Sequence, residues 1–220
     1  MVVVAKGESP TKAKLILAAL DLLRASGLSG AGINNIVEAG GAPKGSVYHF
    51  FPAGKHALVT AALREAEQAV GGAFRTIFSQ AVPVSQKVRM LFHATAERLE
   101  ASGFLKGCPV AAVTLDLDES SADLRSVCEA VFRTWREIIA AGLDDVPHNR
   151  HDSAQLILAA LEGALVLARA QASRAPLEET GALLATMLSR VDGAPRQRTQ
   201  GRQRAGGRRK PRRARGSLRD

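Results

Sequence analysis

The stretch from Gly32 to Leu58 constrains the fold most, because it places two short apolar segments on either side of a glycine turn. The first segment has an apolar face of about one helical turn, formed by Ile33, Ile36 and Val37. Gly40-Gly41 then interrupts the helix. Pro43 follows at a position where a helix can begin, because the missing N–H of proline would have no partner in the first turn. The pattern predicts a helix, a turn and a second helix.

The second of these helices separates an apolar face from a polar one. Val47, Phe50 and Phe51 repeat at i, i+3 and i+4, so they are expected to pack against the first helix. The outward set is then basic, small and hydroxylic, and it consists of Lys44, Gly45, Ser46, Tyr48 and His49. Such side chains suit phosphates and base edges, and the second helix of a helix-turn-helix lies in the major groove. We therefore expect a sequence-specific DNA-binding protein.

The string from Pro43 to Phe51, followed by Lys55, resembles the helix-turn-helix core of the TetR family of transcriptional repressors. Three details resemble the LmrA/YxaF-like subgroup in particular: the Ala42-Pro43-Lys44 opening, the extra residue in Pro52–Lys55 and the later segment Gly107–Ala111. Gly32 stands where the family commonly has a capping Thr or Ser, and a glycine cap is weaker.

The resemblance implies which residues meet DNA. Lys44, Gly45 and Ser46 are expected to read bases or nearby phosphates, and Pro43 to touch a thymine methyl group. Tyr48, His49 and Lys55 match positions that usually contact the DNA backbone. Asn34 and Asn35 face away from the apolar stripe, where they either reach phosphate or base or are only solvated. His49 has no carboxylate or cysteine partner at useful local spacing, so a DNA contact is preferred to a catalytic or metal role, and the pair His148 and His151 is interpreted as a solvated loop.

The composition agrees with an all-α protein. The chain is 46% hydrophobic but only 4% aromatic, and Ala, Leu and Val dominate its interior-type residues. No uninterrupted apolar run long enough for a membrane span is seen, and no signal peptide, so we expect a cytoplasmic protein without a membrane partner. No motif of a hydrolase, nucleotide-binding or metal enzyme is found, so neither an enzyme nor a cofactor is expected. Cys108 and Cys128 are interpreted as reduced core thiols rather than a disulfide or a redox switch.

Helical periodicity continues through the rest of the chain. The predicted helices are Thr11–Ser26, Lys55 to about Gln80, Ser85–Ala101, a short helix from Pro109, Ser121–Ala141, Asp152–Ser173 and Leu177–Val191. Gly27 is expected to close the first, and Ser120 with Asp123 has the spacing of a capping box. The family resemblance implies a pocket for a small lipophilic or planar inducer. Its expected lining is Phe74, Phe78, Phe92, Cys108, Val110 and Trp135, with Phe104 in the loop above, although each of these is also suited to plain core.

The segment AQLILAALEGALVLARAQA, residues 154–172, is apolar on more than one side and must be covered on several sides. Either it is the central helix of a monomeric bundle or a partner subunit covers it. A second apolar helix beside it favours the partner, through Leu183, Leu184, Met187 and Leu188. The resemblance implies a homodimer with a four-helix interface, whose two-fold symmetry presents two recognition helices to a pseudo-palindromic DNA operator.

Charge is concentrated at the end of the chain. Residues 196–220 hold eleven Lys or Arg and one acid, whereas residues 1–195 hold 19 basic and 20 acidic residues. This tail cannot bury enough apolar surface to order itself, so it is either a polyanion-binding arm or a solvated extension. We expect a DNA-binding domain over residues 1–55, a helical ligand-binding and dimerisation domain over 56–193 and a disordered basic tail over 194–220. The predicted function is a ligand-responsive repressor. The alternatives are a constitutive or architectural DNA-binding protein and an activator on the same fold.

Overall fold

A computed structural model describes residues 9–143 and 149–192, and both ranges are helical without any strand. The helices are α1 Pro10–Gly30, α2 Ile33–Ala39, α3 Gly45–Phe50, α4 Lys55–Phe78, α5 Val84–Ala101, α6 Pro109–Leu115, α7 Ala122–Ala141, α8 Arg150–Gln171 and α9 Ala175–Asp192. The all-α prediction is therefore confirmed, and α4 to α9 begin and end within two residues of the predicted bounds. The basic tail and His148 lie outside the described residues.

The helices form two groups, a small N-terminal one that contains α2 and α3 and a larger bundle that contains α5 to α9. Helices α1 and α4 belong to both groups. Helix α1 packs against α2, α3, α4 and α6, which places the two short helices at one end of the molecule. Helix α4 continues from there along α7, while α5 lies mainly against α9 and α8 lies between α7 and α9. Six residues of α7 are spaced for a buried face: Leu124, Cys128, Val131 and Trp135 are buried, whereas Val127 and Ile138 are half-buried. One continuous apolar core thus connects the small N-terminal helices to the larger helical bundle.

Two of the predicted helix boundaries need correction. Gly27 does break the helical conformation, with φ 68°, but the chain makes one further turn and α1 ends at Gly30. The capping box predicted from Ser120 is absent: Ser121 is the N-cap of α7 and makes no side-chain cap. Instead Asp118 Oδ1 accepts from both serine hydroxyls, at 2.8 Å from Ser120 Oγ and 2.7 Å from Ser121 Oγ. The backbone N–H of Ser120, which a capping box would pair with Asp123, also donates to Asp118 Oδ1 at 3.0 Å, so the acid before the serines replaces the acid after them.

Helix α8 is long and apolar enough, by length and composition, to cross a membrane. In the fold its inner residues are buried against neighbouring helices, among them Ala154, Ile157, Leu161 and Ala168. This pattern is that of a core helix in a helical bundle rather than of a convincing span.

Candidate DNA-binding surface and ligand cavity

The two short helices α2 and α3 form a helix-turn-helix with the predicted orientation. Ile36 and Val47 are fully buried, Phe51 is 5% exposed and Phe50 is half-buried, so the apolar faces of the two helices meet the core. On the other side of α3, Tyr48 is 60% exposed. Lys44, Gly45 and His49 are exposed as well. The surface that would face a DNA groove is therefore separate from the surface that holds the motif together.

Backbone geometry sets the angle between the two helices. Gly41 has φ 58°, which is the left-handed conformation that glycine adopts without steric cost, and it reverses the chain after α2. Pro43 then begins the next turn, because its carbonyl accepts from Ser46 N at 2.9 Å. At the start of α2, Gly32 is the N-cap and provides no side-chain cap, as its residue type requires. The sequence thus fixes the turn with glycine and proline rather than with side-chain hydrogen bonds.

Two of the candidate DNA contacts hold the fold together. Asn35 Nδ2 donates to the carbonyl of Gly30 at 3.0 Å, and Lys55 Nζ donates to the carbonyl of Leu28 at 2.7 Å. Both side chains therefore satisfy carbonyl groups at the end of α1. Asn34 and Pro43 are exposed and Ser46 is half-buried. The ring of His49 lies edge-on to Phe50 with centroids 4.7 Å apart, so it is exposed but oriented.

The last turn of α1, which we call the junction turn (residues 28–30), contacts three other helices. Besides the bonds that Leu28 accepts from α4 and Gly30 accepts from α2, the backbone N–H of Ser29 donates to Asp116 Oδ2 at 3.0 Å. Asp116 directly follows α6. The turn is therefore bonded to the helix-turn-helix, to the long helix α4 and to the end of α6 at once.

Three more bonds attach the preceding part of α1 to the larger bundle. Lys106 Nζ forms an ion pair with Asp21 at 2.8 Å, and the N–H of Gly107 donates to the carbonyl of Arg24 at 3.0 Å. Arg169 Nη2, from α8, donates to the carbonyl of Ala25 at 2.6 Å. The loop before α6 and the end of α8 are thus fixed directly to the helix that supports the helix-turn-helix.

A cavity of about 180 Å³ lies immediately behind these contacts. Its apolar wall consists of Val70, Phe74, Leu99, Pro109, Trp135, Leu161 and Leu165. Three of the residues predicted for a pocket line it, namely Phe74, Cys108 and Trp135. The rings of Phe74 and Trp135 are 5.9 Å apart, and the indole N–H donates to the carbonyl of Glu67 at 3.2 Å, so this wall is fixed.

The other four residues predicted for the pocket do not line this cavity. Phe92 and Phe78 are buried where helices approach closely: a Cβ on Gly181 would lie 2.6 Å from Phe92 Cβ, and one on Gly142 would lie 2.5 Å from Phe78 Cβ. Val110 is fully buried in α6, and Phe104 lies half-buried in the loop with φ 64°. These side chains were placed correctly on apolar faces. Which apolar face borders a cavity depends on how the helices pack, and that is not visible in spacing.

The sequence interpretation missed the charged groups of the cavity. Glu162 from α8 lines it, and its Oε2 is buried without a hydrogen-bond partner. Burial raises the pKa of Glu162 to about 7, partly offset by a hydrogen bond with the thiol of Cys108. Burial and the neighbouring Glu162 raise the pKa of Cys108 well above its ordinary value, which keeps it a thiol. The available signal was the position of Glu162, which interrupts an otherwise apolar run of α8.

Two arginines also line the cavity, Arg24 from α1 and Arg98 from α5. Burial lowers the pKa of Arg24, and the positive charge of Arg98 lowers it further. Nearby positive charges of this kind attract an anion. A purely lipophilic ligand would require a uniformly apolar cavity. This cavity instead carries cations on the side that faces α1.

A second cavity, of about 440 Å³, lies between α6, α7 and α8 on the other side of Glu162. It is larger, but apart from Glu162, which lines both cavities, its charged side chains already have partners. Arg133 Nη1 lies 2.9 Å from Glu129, and Arg136 Nη1 donates to Gln155 at 3.0 Å. Exposed and internally paired charges are typical of a solvated groove, so the smaller cavity is the better candidate for a ligand site.

The outer faces of α8 and α9 carry large apolar side chains that nothing covers in the single chain. They are Leu156, Val166, Leu167, Leu183 and Met187, each at least half exposed. Leu184 and Leu188, which were predicted to share this surface, are buried inside the bundle instead. The apolar residues of α9 are thus divided between an inner face and an outer one.

Comparison with known proteins agrees with this arrangement along most of the chain. Residues 15–62 match the family described as bacterial regulatory proteins, tetR family, and residues 84–183 match the transcriptional regulator LmrA/YxaF-like C-terminal domain. The chain is 29% identical to the HTH-type transcriptional regulator YxaF of Bacillus subtilis, an alignment that covers 78% of this chain and 91% of YxaF. It is 31% identical to an HTH-type transcriptional regulator of Mycobacterium tuberculosis, over 78% of this chain and 90% of the relative.

The fold is also that of solved structures. The crystal structure of regulatory protein TetR from Rhodobacter sphaeroides superposes with a TM-score of 0.75 at 22% identity, covering 81% of this chain and 98% of that one. At this identity the likeness concerns the fold. The two family matches and the Mycobacterium relative go further, and from them it follows that the chain belongs to the TetR family of transcriptional regulators, with an LmrA/YxaF-like C-terminal domain, and is a regulator rather than an enzyme.

Proposed function

We propose that the protein is a ligand-responsive repressor that binds a pseudo-palindromic operator as a homodimer. Residues 1–55 form the DNA-binding unit, residues 56–193 the ligand-binding and dimerisation unit, and residues 194–220 a basic arm. One observation supports the ligand response. Arg24 lines the cavity and belongs to α1, the helix whose junction turn holds the helix-turn-helix. A ligand in the cavity therefore touches the element that positions α3.

On the DNA side, α3 is the recognition helix. Lys44, Gly45 and Ser46 at its start read bases or nearby phosphates, with the small Gly45 allowing close approach. Tyr48 and His49 contact the DNA backbone, because they are exposed on the face of α3 opposite the buried Val47. Lys55 and Asn35 contribute in a different way, since they fix the end of α1 and so set the position of α3.

A second copy of the chain covers the outer faces of α8 and α9. The exposed apolar side chains on these two long helices are too numerous to be ordinary surface residues, and α8 is apolar enough to pass for a membrane span. Packing the pair against the same pair in a second copy buries them in a four-helix interface with two-fold symmetry. That symmetry places two α3 helices on one side of the dimer.

Ligand binding and DNA binding are coupled through α1. Arg24 and Lys106 border the cavity, while Asp21, Ala25 and the junction turn are bonded to the loop before α6, to α8 and to Asp116. A ligand that shifts these contacts moves both α3 helices away from the spacing that fits adjacent major grooves. The effect is reciprocal, so operator and ligand each lower the affinity for the other by the same factor.

The experiment begins with selection of bound duplexes from a random DNA pool, because the operator is not written in the protein sequence. Tyr48→Ala should then weaken operator binding by about 1–2 kcal/mol, the size of a hydrogen bond to a charged acceptor plus packing. Tyr48→Phe keeps the ring and should lose only the hydroxyl part of this. Because a phosphate contact carries no sequence information, scrambled duplexes should lose affinity equally.

Binding is measured by fluorescence anisotropy, with dimerisation checked by analytical ultracentrifugation. Unchanged operator affinity for a dimeric Tyr48→Ala protein would show that α3 does not lie in the groove. Selection that yields no preferred duplex would favour a constitutive architectural protein, and transcription raised by the bound protein in a reconstituted assay would make it an activator.

A further inference from the structure

The cavity has an acceptor without a partner on α8. Oε2 of Glu162 is buried and accepts no hydrogen bond. The surrounding wall includes the apolar residues Phe74, Leu161 and Leu165. A buried acceptor of this kind destabilises the fold unless something donates to it. The thiol of Cys108 is hydrogen-bonded to this carboxyl, and a thiol is a weak donor. A hydroxyl group on a ligand would complete the set.

The side of the cavity facing α1 has cations without a partner. Among the described residues, no carboxylate lies within ion-pair distance of Arg24 or Arg98, whereas Lys106 beside them is paired with Asp21. Arg169 of α8 bonds to the carbonyl of Ala25, the residue next to Arg24, and Glu162 lies seven residues earlier in α8, which is about 10 Å along the helix axis. The acceptor and the cations therefore lie toward different ends of the cavity.

The volume of the cavity limits the size of a ligand that can reach both of its ends. The cavity volume of about 180 Å³ slightly exceeds the roughly 150 Å³ of an engineered apolar cavity that binds benzene. One six-membered ring with two small substituents fills such a space. The rings of Phe74 and Trp135, 5.9 Å apart and tilted, offer an aromatic wall for a planar ring.

We propose that this cavity takes a small aromatic acid with a hydroxyl group across the ring. The carboxylate binds Arg24 and Arg98, the ring packs on Phe74 and Trp135, and the hydroxyl donates to Oε2 of Glu162. The proposal rests on the proposed function, because it names the chemical class of the ligand that occupies the regulatory site. It narrows the sequence-based expectation of a lipophilic or planar inducer to a molecule with two polar ends.

The test uses 4-hydroxybenzoate as the probe, with benzoate and methyl 4-hydroxybenzoate as analogues that each lack one end. The full chain contains a single tryptophan, Trp135, whose fluorescence reports on the cavity directly. Calorimetry provides a second readout. We expect 4-hydroxybenzoate to bind the wild-type protein about tenfold or more tightly than either analogue, since each lost contact is a hydrogen bond to a charged or buried group.

Variants assign the two ends to residues. Glu162→Met removes the acceptor but keeps the volume, so the advantage of 4-hydroxybenzoate over benzoate should disappear, and Glu162→Gln, which retains an acceptor oxygen, should restore part of it. Arg98→Gln should reduce the advantage over the methyl ester about tenfold. Exposed residues outside the cavity supply matched controls: Glu179→Gln and Arg75→Gln should leave both ratios unchanged.

Several results would overturn the proposal. One is equal affinity of the wild-type protein for the three probes, another is no binding of any probe at millimolar concentration, and a third is ratios that the cavity variants leave intact. Because binding is measured without DNA, the regulatory role is tested separately. If 4-hydroxybenzoate binds as expected but does not release operator, the proposed regulation fails and the ligand class stands. If another compound releases operator while 4-hydroxybenzoate does not bind, the reverse holds.

Discussion

Replacing Glu162 by Gln should stabilise the protein, and the gain should grow with pH. Burial raises the pKa of Glu162 to about 7 from an ordinary 4.5, so the folded chain holds this proton more tightly than the unfolded chain does. The stability that goes with the protonated carboxyl is fully present below about pH 4.5 and is lost as the pH rises toward and above 7. The amide of the Glu162→Gln variant remains neutral throughout, so the variant loses nothing over this range.

The size of the effect follows from the pKa shift. Each pKa unit corresponds to about 1.4 kcal/mol, so the whole shift amounts to about 3 kcal/mol at most. Between about pH 5.5 and pH 8, the free energy of unfolding of Glu162→Gln should gain about 2 kcal/mol on the wild type. The other titratable groups that line the two cavities bordered by Glu162 are the same in both proteins, so their titration largely cancels. They are Arg24, Arg98, Lys106, Cys108, Arg125, Glu129, Arg133 and Arg136.

Urea unfolding at a series of pH values, followed by circular dichroism at one fixed protein concentration, gives these free energies. A fixed concentration matters because the proposed dimerisation would contribute to the apparent stability. Glu179→Gln is the matched control: this carboxylate is exposed on α9, and its replacement should produce no pH-dependent difference. A constant difference between wild type and Glu162→Gln across the pH range would refute the reasoning, because it would mean that the carboxyl titrates alike in the folded and unfolded chains.

Two further predictions concern assembly and the tail. Leu183 is 63% exposed on α9, and Leu183→Arg should give a helical monomer in ultracentrifugation and weaken operator binding by at least about tenfold. The control Leu115→Arg on α6 should remain dimeric. A dimeric Leu183→Arg protein would show that α9 is not part of the interface. If about five tail cations per subunit meet phosphates, a protein ending at Pro195 should bind DNA with a slope of log K against log salt that is flatter by roughly 4 to 5 units per subunit, where K is the DNA-binding constant. An unchanged slope would show that the tail does not touch DNA.

The fold was predictable from the sequence because its determinants are local. Helical spacing, Gly40-Gly41 and Pro43 mark where helices begin and end, and these effects act within a few residues along the chain. The outward orientation of Tyr48 and His49 followed from the same periodicity. The double serine bond to Asp118 was missed because a capping box and an Asp-centred turn need nearly the same residue types at nearly the same spacing.

The candidate sites were predictable only in part. Phe74 and Trp135 line the cavity and Phe92 does not, although all three repeat on apolar helical faces, because the difference is made by how α5 meets α9. The structural bond of Lys55 joins residues that are 27 positions apart, and that of Arg169 joins residues 144 positions apart. Spacing along one helix carries no information about such pairs. Glu162 was visible as an acid in an apolar run, but its unpartnered oxygen was not.

Gly27 gives the junction turn a direction that a continuous helix would lack. Its positive φ breaks the helical conformation inside α1, so the three residues beyond it leave the line of the first part of the helix and meet Lys55, Asn35 and Asp116. A side chain at this position would be strained by the left-handed backbone, and its Cβ would meet Asp116 Oδ2 at 2.6 Å. The kink in α1 and the bond from Ser29 to Asp116 thus both depend on the absence of a side chain at Gly27, so a substitution there would displace the turn that holds the helix-turn-helix.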